Sequence, residues 1–203
     1  MRVKHGWQYT VYMYGHRVKK IPHTRDEIKQ ILLRRDTQYE QGELEALIEG
    51  IVKDRDEAIA RLQEMNIDRS MLGNPVFLED GSYYQDRAVT LRYKLEELER
   101  YIERERQHKI IDEYITFVVR CWKNGFSERT YNLTKNNAYN SNGVILIDLG
   151  EITFSKEDIA KDINEKIWLK SWSFLNDLDP ELKKYYKQER KRNLTLENLE
   201  KYW

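Results

Sequence analysis

The sequence lacks an excess of either charge. Lys plus Arg and Asp plus Glu both number 35, so no net field recruits nucleic acid or an acidic membrane surface. Two short basic runs, R-V-K-K at 17–20 and K-Q-E-R-K-R at 187–192, then read as solvated faces, and nucleic acid is not expected as a partner. Cysteine is nearly absent. Cys121 alone permits no intramolecular disulfide, and its apolar neighbours Phe117, Val118 and Trp122 make it a small core residue rather than a nucleophile. His5, His16, His23 and His108 show no metal-ligand spacing. No apolar run reaches membrane-spanning length and the N-terminus carries no signal-peptide pattern, so no membrane partner and a cytoplasmic location are expected. Repeats, low-complexity tracts and flexible linkers are missing too, and 203 residues suffice for one good-sized domain or two small lobes.

What is present is a composition of 34% charged and 40% hydrophobic residues, that of a helix-rich chain. W-Q-Y-T-V-Y-M-Y at 7–14 and R-V-K-K-I at 17–21 flank Gly15-His16 and predict two strands, with Pro22 ending the second. Thr24-x-x-Glu27 is a capping box that opens a helix, and a second helix is expected from about Gly42 to Met65. Strands at 75–79 and 83–86 flank the turn Asp80-Gly81-Ser82. From Ala88 to Lys123 the sequence favours helix, with a break expected in the charged stretch 103–109 and a stop at Gly125. Ser155, Asp179 with Pro180, and Thr195 mark three later helix starts.

The segment from Asn132 to Glu151 carries the most chemistry. Val144–Ile147 is an apolar run ending on Asp148, and Asn-Ser-Asn-Gly before it has the composition of a tight hairpin turn. Asn137 stands at the mouth of the partner strand, with Asn132 five residues earlier. A carboxylate and an amide brought together in this way can hold magnesium against nucleotide phosphates.

This segment resembles the catalytic loop and D-F-G element of the protein-kinase-like family, in the manner of a small bacterial or phage-type member with a degenerate catalytic loop. The resemblance covers most of the chain, loosely outside three motifs. It implies an α+β, two-lobed fold: a small β-rich N-lobe with two helices over 1–87, and a mostly helical C-lobe over 88–203 carrying a catalytic β-hairpin. In R-V-K-K-I, Val18 and Lys20 share a strand face, so Lys20 matches the family's phosphate-pairing Lys; a surface Lys on an edge strand is the plainer reading. Glu49 on the second helix is the residue to hold that Lys, with Glu45 one turn away an equal candidate. Against H-R-D-L-x-x-x-N, the chain reads T-Y-N-L-T-K-N-N at 130–137, which keeps Leu133 and the final Asn137 but puts Asn132 where the catalytic Asp belongs. Asn137 and Asp148 match the magnesium ligands, Asn136 being a rival one register away, and Asp148-Leu149-Gly150 replaces Phe by Leu. An Asn-rich turn is the plainer account of the loop.

The glycine-rich phosphate loop and the A-P-E motif are missing: only Gly6 falls within residues 1–8. The function so implied is an ATP- and magnesium-binding phosphotransferase acting on an unspecified acceptor, slow because an amide at Asn132 cannot take a proton. Glu128 stands near as a substitute group. The alternatives are a pseudokinase, or a helical interaction protein acting by partner binding without catalysis through helices 42–65 and 88–107.

Overall fold

The computed structural model describes residues 2–35, 39–167 and 173–203. The chain is α+β and divides into two compact units, Met1–Arg87 with Leu149–Glu151, and Ala88–Asp148 with Ile152–Trp203. Among the described residues no helix is long and apolar enough to cross a membrane.

In the first unit, β1 (Arg2–His5), β2 (Tyr9–Tyr14) and β3 (Arg17–Pro22) form an antiparallel meander. The β2–β3 turn is tight, Tyr14 facing Arg17, and Gly15 takes the left-handed conformation there at φ 53. Alternation along β3 places Val18 and Lys20 on the buried face, as the pattern predicts. Its other face turns Lys19 toward the ring of Tyr84. Pro22 ends β3. The Thr24–Glu27 box then opens α1 (Arg25–Arg35), Thr24 N–H donating to Glu27 Oε2 at 2.8 Å and Glu27 N–H to Thr24 Oγ1 at 3.3 Å. The long helix α2 (Gln41–Glu64) follows, and Ile28 and Leu32 of α1 pack with its Leu44 and Ile48 beside Trp7. A 3-10 turn (Arg69–Leu72), β4 (Val76–Phe77) and β5 (Tyr83–Asp86) complete a five-stranded sheet in the order β1-β2-β3-β5-β4. The four residues of β1 carry no apolar alternation, so the sequence pattern does not predict that strand.

The second unit begins with β6 (Val89–Thr90) and α3 (Leu91–Arg100), then α4 (Arg104–Lys123). The break between these helices falls earlier than the charged stretch 103–109, which supplies the first turns of α4. Gln107 in that stretch is buried and donates to the Leu95 carbonyl at 2.9 Å, so helix packing overrides local polarity. After Gly125 come β7 (Ser127–Glu128), the single-turn α5 (Leu133–Asn136), β8 (Asn137–Asn140) and β9 (Gly143–Leu146). The β8–β9 hairpin forms across the Asn-Ser-Asn-Gly turn as expected, with Asn137 opposite Leu146, and β6 pairs with the outer edge of β8. Next are β10 (Ile152–Thr153), paired with β7, and α6 (Lys156–Asn164). A 3-10 turn (Ser173–Asp177), α7 (Pro180–Asn193) and α8 (Leu196–Tyr202) close the chain. Ser155, Asp179 and Thr195 cap α6, α7 and α8 through their side-chain oxygens. The apolar face of α4, with Ile111, Tyr114, Val118 and Trp122, lies against α3, α7, α8 and β9 as the core of the unit.

Candidate functional site

Each sequence-predicted residue is placed within its own unit: Lys20 and Glu49 in the first, Asn132, Asn137 and Asp148 in the second. In the second unit the site is assembled by the loop from Glu128 to Asn137. Glu128 ends β7 and is buried. Its Oε1 accepts from Thr130 N–H at 2.9 Å, from the Thr130 hydroxyl and from Asn136 Nδ2 at 3.0 Å, while Oε2 accepts from Asn132 N–H at 2.9 Å. Burial pushes this carboxyl above the usual range, and the bonds from Thr130 and Asn136 together with the charge of Arg190 pull it back. The donors surround both oxygens, so the carboxylate is engaged in holding the loop.

Bracketed by those two backbone bonds, Tyr131 takes a left-handed conformation at φ 52, which costs a non-glycine residue about 1–2 kcal/mol. Side-chain contacts offset that cost. The Tyr131 hydroxyl donates to Asp162 Oδ2 at 3.1 Å, and the guanidinium carbon of Arg190 lies 4.2 Å from the Tyr131 ring centroid. Arg190 itself is 1% exposed and donates to the Tyr186 hydroxyl at 2.8 Å. The run 187–192 is therefore not wholly a solvated face. Leu182, Tyr186 and Arg190 recur every four residues on the buried side of α7, and that spacing was the available signal.

Asn132, placed by the sequence where a catalytic base belongs, has a structural task. Its Oδ1 accepts from Lys135 N–H at 3.2 Å as the N-cap of α5. Asn136 is likewise absorbed into the framework: its amide serves Glu128, and its carbonyl accepts from Ile147 N–H at 2.8 Å and Asp148 N–H at 3.3 Å. Asn137 differs. It is 1% exposed, its Nδ2 donates to the Asn132 carbonyl at 3.2 Å, and its Oδ1 is buried with no hydrogen-bond partner. Asp148 is half-buried, and its Oδ1 is also buried without a partner. Between the rival amides, Asn137 is the one with an oxygen left over.

These two open oxygens belong to residues joined through one carbonyl, since Asn136 precedes Asn137 and its oxygen receives the Asp148 amide. Leaving a buried acceptor unsatisfied costs about 1–3 kcal/mol, so a cationic or donor ligand is the natural complement. Among the described residues no three of His, Cys, Asp and Glu gather around a common point. An amide oxygen and a carboxylate oxygen are both donors of the kind a hard cation takes.

In the first unit Lys20 is buried, its Nζ 5.9 Å from the ring centroid of Tyr9 and 5.6 Å from that of Tyr83. Glu49 does not take the role expected of it. Its exposed carboxylate bonds Arg25 of α1, and Glu45 accepts from Lys29 Nζ at 2.6 Å. Arg25 and Lys29 stand one turn apart on α1 as Glu45 and Glu49 do on α2, so the two helices match as a charge ladder across their exposed rim. Lys29 holds the Glu45 carboxyl below its usual range, and Glu49 raises the Arg25 guanidinium.

No protein-family model matches the chain, and no curated protein is similar enough to it to count as a match.

Proposed function

We propose that this chain is a kinase-like protein that binds ATP together with magnesium, residues 1–87 acting as a small β-rich N-lobe and 88–203 as a helical C-lobe. One observation carries the reading: Asn137 and Asp148, the two positions that match the family's magnesium ligands, are the residues of the loop and hairpin that retain buried, unpartnered oxygens. Asn137 and Asp148, both of the second unit, would hold the cation; Lys20, in the first, is the position that matches the family's phosphate-pairing Lys. Magnesium held there with ATP would neutralise phosphate charge, the main requirement of phosphoryl transfer. The protein's own part is positioning. Asn132 fixes α5, Asn137 Nδ2 fixes its own amide plane, and Glu128 fixes the loop.

No side chain of this loop takes the proton of an acceptor hydroxyl. Asn132 is an amide, and both oxygens of Glu128 are occupied. General-base assistance contributes about 10²- to 10⁴-fold, so transfer is slow by that factor. The same observation favours a second reading, a pseudokinase that binds nucleotide and acts through a partner without transfer.

The test is a thermal-shift titration with ATP, with and without magnesium. ATP is expected to raise the melting temperature only when magnesium is present. Asp148→Ala is expected to abolish that shift while leaving the unliganded protein as stable as before or more so, because the oxygen removed has no partner. Asn136→Ala is expected to lower the starting stability and to reduce the magnesium-dependent shift much less than Asp148→Ala does. An undiminished shift in Asp148→Ala would overturn the metal assignment.

A further inference from the structure

Glu128 reaches two branches of the loop at once. Through Oε2 it receives the Asn132 N–H at 2.9 Å, and the carbonyl of that same Asn132 receives Asn137 Nδ2 at 3.2 Å. Through Oε1 it receives Asn136 Nδ2 at 3.0 Å, and the carbonyl of that same Asn136 receives the Asp148 N–H at 3.3 Å. Both open oxygens, on Asn137 and Asp148, are thus tied to one buried carboxylate by a single intervening residue each. The tie to Asn137 carries chemical information. A carboxamide turned over by half a rotation presents NH₂ where it had presented oxygen, and nothing in its shape opposes the change. What opposes it here is the Asn132 carbonyl, an acceptor that only the NH₂ edge satisfies. That carbonyl stays in place because the Asn132 amide and the Thr130 amide are both anchored on Glu128, across the left-handed Tyr131.

We infer that Glu128 is a positioning residue for the cation site: it fixes which edge of the Asn137 amide faces the cation, and so sets the preference of the protein for metal-bound over metal-free nucleotide. The inference rests on the ATP–magnesium reading above and adds to it a residue that never touches the ligand. A carboxylate is required at 128 because four donors converge on two oxygens, and a carboxamide would set its own NH₂ against one of them. Outer partners that orient a metal's ligands are commonly worth about 10- to 100-fold in affinity.

The experiment compares the affinity of the full chain for ATP with excess magnesium and for ATP in EDTA, by titration calorimetry. Glu128→Gln is expected to weaken binding of magnesium-ATP about tenfold or more and to leave metal-free ATP binding unchanged, which a general loosening of the fold would not do. Leu199→Ala, a buried truncation on α8, serves as the control for lost stability and should change the two affinities in equal proportion. Should Glu128→Gln not accumulate as folded protein, Glu128→Asp keeps the charge but is one methylene too short to reach both branches, and the same selective loss is expected. A folded Glu128 variant with the wild-type preference for magnesium-ATP overturns the inference while leaving the ATP–magnesium reading intact. A wild-type protein with no such preference overturns that reading, and the inference with it.

Discussion

Asn132 Oδ1 closes the only turn of α5 by accepting from Lys135 N–H at 3.2 Å, and an aspartate at 132 would do the same with one carboxylate oxygen. The second oxygen would then be free to take a proton. Asn132→Asp is therefore expected to fold as stably as the parent, with a negative charge at a helix N-terminus. It is expected to raise a weak ATPase or phosphotransferase turnover about tenfold or more. Asn132→Ala, which loses the cap, should cost about 1 kcal/mol in urea unfolding and gain no turnover. Turnover that stays at background in Asn132→Asp, with ATP still bound, would identify a binding module. The residue scale is also where the sequence was least complete as a guide. That a hairpin lies between Asn137 and Asp148 could be read from the sequence, because the Asn-Ser-Asn-Gly turn is a local signal. The pairing of Glu49 could not, because it depended on which side of α2 meets α1 and on Arg25 and Lys29 lying there.

Two helix ends in the second unit have the same design and differ in one residue. At the end of α4, Gly125 N–H donates to the Trp122 carbonyl at 2.9 Å and Phe126 N–H to the Cys121 carbonyl at 3.2 Å, with Gly125 left-handed at φ 73. At the end of α3, Ile102 N–H donates to Glu99 at 3.0 Å and Glu103 N–H to Leu98 at 2.9 Å, with Ile102 left-handed at φ 58. Both are Schellman ends. The first was legible because glycine advertises it. The second was not, because a β-branched residue is among the least suited to that conformation, and the charges that follow are the more conspicuous signal of a break. Strands of two residues, such as β6, β7 and β10, were invisible for another reason: they are too short to show alternation, and only their partners define them. Ile102 is 89% exposed, so replacing it removes no packing. Ile102→Gly is expected to stabilise the chain by about 1 kcal/mol, read as a higher urea midpoint at an unchanged slope. A lower midpoint would show that Ile102 makes a contact worth more than its strain.

Taken as a whole molecule, the chain leaves its second unit after Asp148, contributes Leu149–Glu151 to the first, and returns at Ile152. The first unit is thus completed by residues that follow Arg87 by about sixty positions. Leu149 is fully buried, and Gly150 sits where a Cβ would overlap Gln8 Oε1 and lie 3.0 Å from Gln8 Cδ and 3.2 Å from Arg55 Cγ. Neither neighbour yields easily. Gln8 is 6% exposed, and Arg55, equally buried, is held by its bond to the His23 carbonyl at 2.7 Å. Glycine at 150 is therefore a packing requirement of the first unit, although Asp148, two residues earlier, belongs to the second. Gly150→Ala is expected to destabilise the first unit by about 1–3 kcal/mol through overpacking. Native-state hydrogen exchange locates the effect. Amides of β2 and β3 should exchange faster by a factor of about 5 to 150, while those of α4 between Ile110 and Trp122 keep their rates. If the α4 amides accelerate equally, the two units unfold as one cooperative body. If β2 and β3 are unaffected, the packing of Gly150 against Gln8 and Arg55 is not what supports that sheet.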